Sequence, residues 1–223
     1  MKVTTDACLF GAWIVSQLQN QKADTILDIG TGTALLSLMV AQENHEAIID
    51  ALEIEEETAM QARENADALS FKNRINIIHA DARTHPFQHK YDLIICNPPF
   101  YENELKSGST KKNIAHHNEG LLLDELLPII KNNLHPDGRF CLLMPFKRDE
   151  EIRRMLIKHE LELLEMIFVK QSFHHDYFRI MLMGQLSSGY ALNTEFNEIS
   201  IWDENKQYTT EFAELLKDYY LYL

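Results

Sequence analysis

The sequence predicts an α/β fold with a mostly parallel seven-stranded sheet and helices on both faces. Short apolar runs of strand length alternate with longer segments of helical periodicity. The first run ends in Gly30-Thr31-Gly32-Thr33, a glycine turn that leads into an apolar helix. Polar residues follow each of the first four runs, and parallel strands would gather them at one edge of the sheet.

Length and composition favour a single domain over residues 1–223. The chain has 45% hydrophobic residues, enough for a full core. No apolar run approaches the ~18 residues of a membrane span, and the first six residues lack a signal-peptide core. Cys8, Cys96 and Cys141 have no metal or redox spacing, so we expect them to be reduced and buried. These features favour a cytoplasmic protein without a membrane contact.

The net charge of −13 argues against a general nucleic-acid binder. A nucleic-acid substrate would need a local basic patch, and residues 101–120 offer one. This polar, aperiodic stretch is long for a connection, so we expect a mobile substrate-side loop. Lys147, Arg148, Arg153 and Arg154 form a second basic group, on a predicted helix. His174-His175 lacks ligand spacing and predicts a surface pair, with no metal.

Four strands are predicted in the first half of the chain. An amphipathic helix precedes them in the N-terminal segment 1–20, with Asp6 as its N-cap. The predicted strands are 25–29, 47–52, 75–79 and 91–96. Helices at 34–42 and 55–69 connect the first three strands.

The second half predicts a closing set of strands and helices. A helix at 121–133 leads through a turn at 135–138 to a strand at 139–144, and a charged helix follows at 147–158. The apolar runs 161–169 and 177–186 predict a pair of strands. The C-terminal segment 187–223 predicts a further strand at 196–202 and an aromatic-rich helix ending at Tyr222.

Asn97-Pro98-Pro99-Phe100 follows the fourth strand and predicts a stiff turn out of the sheet. Proline cannot continue a central strand, and each proline fixes its own φ. The motif offers an amide, carbonyl oxygens and a flat ring, which suit a planar heterocycle with an exocyclic amine. A simple exit turn with Phe100 in the core is the alternative.

The other strand ends indicate an adenosine ligand. Glu53 lies about twenty residues past the glycines, where an acidic residue meets ribose hydroxyls, and Asp81 would accept from the adenine amine. Leu35 stands where a dinucleotide fold often has a third glycine. A ligand without a pyrophosphate, such as S-adenosylmethionine, therefore suits the turn better than NAD, although an NAD-binding oxidoreductase is the other reading.

These motifs resemble a known family. Asp28-Ile29-Gly30-Thr31-Gly32, Glu53, Asp81 and Asn97-Pro98-Pro99-Phe100 resemble the Rossmann-like class I S-adenosylmethionine-dependent methyltransferases that act on amino groups. Met1-Lys2-Val3-Thr4-Thr5-Asp6, Leu9-x-Gly11-Ala12-Trp13 and Tyr101 narrow the resemblance to the bacterial tRNA1(Val) (adenine-37-N6)-methyltransferases. The Asn-Pro-Pro-Phe motif alone is shared with ribosomal RNA guanine-N2 and glutamine methyltransferases, so these substrates remain alternatives.

The resemblance implies the reaction and the residues that carry it. It implies methylation of N6 of adenine 37 in the anticodon loop of tRNA1(Val), by a monomer that uses S-adenosyl-L-methionine and no metal. The implied catalytic residues are Asn97, Pro98 and Phe100. The implied cofactor-binding residues are Lys2, Thr5, Asp6, Asp28, Gly30, Gly32, Glu53, Ile54, Asp81, Ala82 and Asn97. The implied substrate-binding residues are Pro99, Tyr101, Lys106, Lys111, Lys112 and His116.

Overall fold

The protein is organised around one β-sheet. The computed structural model describes residues 3–19, 22–69, 72–98, 121–190 and 193–222. The described strands are β1 (Thr25–Ile29), β2 (Ile48–Glu53), β3 (Ile75–His79), β4 (Tyr91–Cys96), β5 (Leu134–Pro145), β6 (Leu161–Ser172), β7 (Tyr177–Leu186) and β8 (Glu195–Trp202). The described helices are α1 (Thr5–Leu18), α2 (Leu35–Glu43), α3 (Glu56–Asp67), α4 (Leu123–Asn133), α5 (Asp149–Lys158) and α6 (Thr210–Leu216).

The described strands form an eight-stranded sheet in the order β3-β2-β1-β4-β5-β7-β6-β8. β7 is antiparallel to both of its neighbours, and the other described strands run parallel to one another. The predicted mostly parallel sheet is confirmed. It has one strand more than the predicted seven, because the tail segment at 195–202 pairs with β6 and extends the edge.

Helices cover both faces of the sheet, as predicted. One face packs against α1 and α2, with Phe212 and Leu216 of α6 in the same hydrophobic cluster. The other face packs against α4 and α5. The central strands are buried on both sides, which explains why their sequences are continuous apolar runs rather than alternating ones.

Several element ends differ from the prediction. The predicted turn at 135–138 lies inside β5, where the pairing with β4 shifts between Tyr91 and Leu93 and the extra residues bulge out. A 3-10 turn, Phe146–Arg148, precedes α5, so that helix begins at Asp149. Helix α6 ends at Leu216, so the terminal tyrosines follow the helix instead of forming it.

The start of α1 also corrects the prediction. Thr4 is the N-cap and makes no side-chain capping bond, while Asp6 lies in the first turn of the helix. No helix within the described ranges is long and apolar enough to cross a membrane.

Two glycines test how tightly the core is packed. A Cβ at Gly184 in β7 would lie 2.6 Å from the Glu162 backbone oxygen and against the Phe140 ring, whereas a Cβ at Gly11 in α1 would meet the flexible Met39 side chain at 2.5 Å. We expect Gly184→Ala to destabilise the fold by about 1–3 kcal/mol, because a backbone carbonyl cannot move aside. Gly11→Ala should cost less, since Met39 can move and alanine favours a helix by about 1 kcal/mol. Urea unfolding of both variants measures the difference, and an equal loss would contradict this account.

Candidate active site

The polar residues predicted at the strand ends do meet at one edge. The last residue of β1, Ile29, is in register with Leu52 of β2 on one side and Cys96 of β4 on the other. Glu53 and Asn97 therefore flank the turn that follows β1. Neighbouring strands lie about 4.8 Å apart, so these groups face a common crevice at the carboxyl edge of the sheet.

The glycine turn presents bare backbone to this crevice. Gly30 and Gly32 have φ values of 70° and 60°, a left-handed conformation that glycine adopts without steric cost. A Cβ at Gly30 would have no atom within 4 Å. The turn is fixed from below by the Thr31 N–H, which donates to the Leu52 carbonyl at 2.9 Å. A ligand can thus approach the backbone closely at Gly30.

A buried carboxylate braces the turn. The Asp28 side chain is fully buried, and its Oδ2 accepts hydrogen bonds from Thr31 Oγ1 at 2.6 Å and Ser37 Oγ at 2.7 Å. Its Oδ1 has no partner among the described residues. Burial raises the pKa of Asp28 to about 6, against the opposing effect of the two hydroxyl donors. Ser37, on α2, is a residue that sequence reasoning missed.

Glu53 ties the end of β2 to the same turn. The side chain is 7% exposed; Oε2 accepts from the Gly32 N–H at 2.9 Å, and Oε1 accepts from the Glu55 N–H at 3.0 Å. Each carboxylate oxygen keeps a second lone pair for a ligand hydroxyl. The predicted acidic residue therefore has a second role, as a brace, that the sequence did not reveal.

The end of β3 brings an arginine that the sequence reading also missed. Arg83 Nε donates to both Asp81 oxygens, at 2.9 and 3.0 Å, and the Arg83 guanidinium lies 3.6 Å from Glu125 of α4. The guanidinium lowers the pKa of Asp81. Asp81 stays partly exposed. Arg83 donates two hydrogen bonds to each of its oxygens, from the backbone N–H and Nε to Oδ1 and from Nε and Nη2 to Oδ2.

Apolar residues follow both Glu53 and Asp81. Ile54 is 51% exposed, and its carbonyl oxygen accepts from His79 Nε2 at 3.1 Å. Ala82 is half-buried on the β3 side.

Asn97 and Pro98 occupy the position after β4. Asn97 is half-buried and Pro98 is buried, beside the turn that follows β1. The rest of the motif and most of the substrate-side predictions lie outside the described residues: Pro99, Phe100, Tyr101, Lys106, Lys111, Lys112 and His116. Lys2 also lies outside the described residues.

The start of α1 is tied to β7. Asp6 Oδ2 accepts from Arg179 Nε at 2.8 Å, and Arg179 is paired with Pro145 at the carboxyl end of β5. The first turn of α1, with Thr5 and Asp6, therefore lies at the same edge as the crevice.

Two residues of the second basic group are paired with acidic side chains of α5. Arg148 binds Glu151 at 2.8 Å, and Arg153 binds Asp149 at 2.6 Å. Arg153 also lies over the Phe196 ring, with its Cζ 4.9 Å from the ring centroid. These pairings reduce the charge that this helix can offer to phosphate.

The three cysteines are free and buried, as predicted. Burial raises the pKa of each thiol, which leaves it protonated and unreactive. Within the described part of the chain, no group of three or more histidine, cysteine or acidic side chains has metal-binding geometry.

Comparisons with known proteins show the family to which the chain belongs. The sequence profile of the methyltransferase small domain matches residues 11–159. The tRNA1(Val) (adenine(37)-N6)-methyltransferase of Parabacteroides distasonis is 33% identical, over 99% of this chain and 91% of that protein. The Aliivibrio fischeri protein of the same name is 35% identical, over 99% of this chain and 91% of that protein.

The chain belongs to the tRNA1(Val) (adenine(37)-N6)-methyltransferase family, and its residues 11–159 match the methyltransferase small domain. A further member, from Dyadobacter fermentans, is 50% identical over 145 residues, which are 65% of this chain and 59% of that protein. The chain thus spans less than two thirds of that relative in the alignment. The resemblance seen in the motifs is confirmed.

Solved structures confirm the Rossmann-like class I methyltransferase fold. A predicted O-methyltransferase from Agrobacterium tumefaciens superimposes with a TM-score of 0.72 at 17% identity and covers 95% of both chains. A magnesium protoporphyrin IX methyltransferase from Synechocystis, solved with S-adenosylmethionine bound, gives a TM-score of 0.59 at 18% identity, over 82% of this chain and 80% of that one.

Family membership makes this chain an S-adenosylmethionine-dependent methyltransferase and sets aside the NAD-binding alternative. The described residues fit that cofactor. The open backbone at Gly30 admits close approach, and the carboxylates of Asp28, Glu53 and Asp81 suit a cationic ligand that carries hydroxyl and amine donors. The unpartnered Oδ1 of Asp28 leaves an acceptor next to the turn.

The raised pKa of Asp28 gives a test by pH. Because the folded pKa of about 6 exceeds the ordinary 3.8, ionisation costs the folded state stability as the pH rises between these values. Asp28→Asn removes the charge and keeps an oxygen acceptor, so it escapes this loss. From pH 5 to pH 7.5 we expect the unfolding free energy of the variant to gain about 1.4 kcal/mol relative to wild type. Urea unfolding at both pH values checks this; a difference that does not change with pH would contradict it.

Proposed function

We propose that this protein transfers the methyl group of S-adenosylmethionine to the exocyclic N6 of adenine 37 in the anticodon loop of tRNA1(Val). The observation that carries the proposal is the position of Asn97 and Pro98, directly after the central strand β4 and beside the glycine turn. The names of the full-length relatives support the same substrate.

In this proposal each strand end binds a different part of the cofactor. Glu53 accepts from the ribose hydroxyls, and Asp81 accepts from the adenine amine while Arg83 orients its carboxylate. Ile54 and Ala82 flank the adenine ring. The methionine end lies along the turn, with Gly30, Gly32 and Asp28 on one side and Lys2, Thr5 and Asp6 of the N-terminal segment on the other.

The chemical step needs a more nucleophilic nitrogen. The N6 lone pair of adenine is delocalised into the ring, and S-adenosylmethionine supplies an electrophilic methyl group when bound. The Asn97 side-chain oxygen and the Pro98 carbonyl accept the two N6 hydrogens, which localises the lone pair on the nitrogen. With its lone pair localised, the nitrogen would attack the methyl carbon while the carbon–sulfur bond breaks, and the alkylated amine would then release its extra proton to water.

Positioning supplies much of the remaining rate. Phe100 stacks on the target base, and base–aromatic stacking is worth about 1–3 kcal/mol. Pro99, Tyr101, Lys106, Lys111, Lys112 and His116 contact the RNA around it. Position 37 lies in a loop, so the base leaves its stack at less cost than a paired base. The proposal includes a monomer that works in the cytoplasm without a metal.

Methyl transfer to tRNA tests the substrate. We expect labelled S-adenosylmethionine to give N6-methyladenosine in unmodified tRNA1(Val), detected by nucleoside mass spectrometry. Changing adenine 37 to guanine should abolish the product, because the Asn97 and Pro98 acceptors then lack an N6 amine. Methylation that persists on the guanine-37 tRNA would place the target at another base. Absence of transfer, with S-adenosylhomocysteine still bound, would favour a ribosomal RNA guanine or a protein glutamine.

Replacement of Asn97 separates catalysis from cofactor binding. We expect Asn97→Ala to lower kcat at least a hundredfold, because it removes an acceptor that acts on N6 in the transition state. Its affinity for S-adenosylhomocysteine, measured by calorimetry, should stay within about threefold, since the ribose and adenine contacts lie on other strands. The matched control is Asn73→Ala, an exposed asparagine ahead of β3 at the opposite edge. Loss of cofactor binding in Asn97→Ala would mean that its role is structural.

A further inference from the structure

We propose that the β6–β7 hairpin, residues 170–179, is a docking surface for the single-stranded bases that flank the target adenine. This inference rests on the proposed function and adds to it a contact surface in the described part of the chain. It assigns a role to the His174-His175 pair, which the reaction leaves unused.

The hairpin extends beyond the carboxyl edge of the sheet, where the active site lies. Cys96 at the end of β4 is in register with Leu142 of β5, and Leu142 is in register with Leu182 of β7. Tyr177, at the start of β7, lies five residues beyond Leu182, which is roughly 16 Å above the end of β4 at about 3.3 Å per residue. The hairpin therefore rises above the crevice that holds Asn97.

The lateral distance matches a short piece of RNA. β7 lies two strands from β4 in the sheet, which is about 10 Å at the usual strand spacing. Bases in a stacked strand rise by about 3.4 Å each. Together with the height of roughly 16 Å, this offset puts Tyr177 about 19 Å from the end of β4, a distance that about five to six stacked bases span. The hairpin is therefore within reach of the nucleotides on either side of the target base.

The hairpin offers aromatic rings and imidazoles rather than free charge. Its two basic side chains are already paired: Lys170 Nζ lies 3.3 Å from Glu198 Oε2, and Arg179 Nε lies 2.8 Å from Asp6 Oδ2. The segment 170–179 also holds three aromatic residues and two histidines. Single-stranded nucleic acid binds such a surface by stacking its bases on the rings.

Phe173 is the exposed ring at the tip. It is 53% exposed, and His174 and His175 beside it are also exposed. About half of the Phe173 surface is therefore free to contact a base.

The tip is held in a fixed shape. Ser172 Oγ lies 2.7 Å from His175 Nδ1, and the His175 N–H donates to the Ser172 carbonyl at 3.0 Å. Below it, Lys170 Nζ lies 4.5 Å from the centroid of the Tyr177 ring, and the Phe146 ring centroid is 5.1 Å from that of Tyr177. A preorganised surface loses less entropy when RNA binds.

The stacking contact is tested with Phe173→Ala. Its matched control is Tyr190→Ala, an aromatic residue that is 81% exposed and follows β7 at the opposite edge of the sheet. We expect Phe173→Ala to raise the Kd for unmodified tRNA1(Val) about tenfold by fluorescence anisotropy, with the Kd for S-adenosylhomocysteine unchanged. Tyr190→Ala should match wild type in both.

The outcomes separate this inference from the function on which it rests. If wild type methylates tRNA and Phe173→Ala binds tRNA as wild type does, the docking surface is wrong and the proposed function stands. If Tyr190→Ala weakens tRNA binding as much as Phe173→Ala, the effect is not specific to the hairpin and the inference is also wrong. If wild type neither binds nor methylates tRNA, both fail.

Discussion

The hydrogen bond from the Gly32 N–H to Glu53 Oε2 joins the two strand ends on which the site depends. It holds the turn after β1 against the end of β2, and it aims a buried carboxylate toward the crevice. The bond requires that β1 and β2 end at the same level, which their parallel register provides. The register of the sheet thus sets both the shape of the turn and the place of its main acidic group.

The burial of Asp28 below this edge destabilises the folded state, and the packing of the core does not depend on it. Asp28 is fully buried with a raised pKa, and one of its oxygens has no partner among the described residues. Natural cores seldom keep such a group without a reason. Its hydroxyl donors, Thr31 and Ser37, hold it at the base of the turn, so stability is given up where a cationic ligand is expected to bind.

Distant parts of the chain close the other side of the site. The ion pair between Asp6 and Arg179 ties the first turn of α1 to β7, and β7 belongs to the hairpin that rises beside Asn97. The N-terminal helix and the C-terminal half of the sheet therefore share a contact at the edge where the reaction is proposed to occur. A displacement of α1 or of β7 would therefore shift the other element through this ion pair.

The sequence by itself determined the order of the elements, the mostly parallel sheet and the edge at which the polar residues gather. These follow from local signals: apolar runs, a glycine turn, and prolines that end β4. The sequence also identified Glu53 and Asp81, because they stand at strand ends. Only the tertiary structure showed that Glu53 braces the Gly32 amide, that Arg83 holds Asp81, and that β8 extends the sheet. It also showed that the Phe173 hairpin rises above the same edge of the sheet as Asn97, because strand order and register bring together residues far apart in the chain and leave no local sequence pattern.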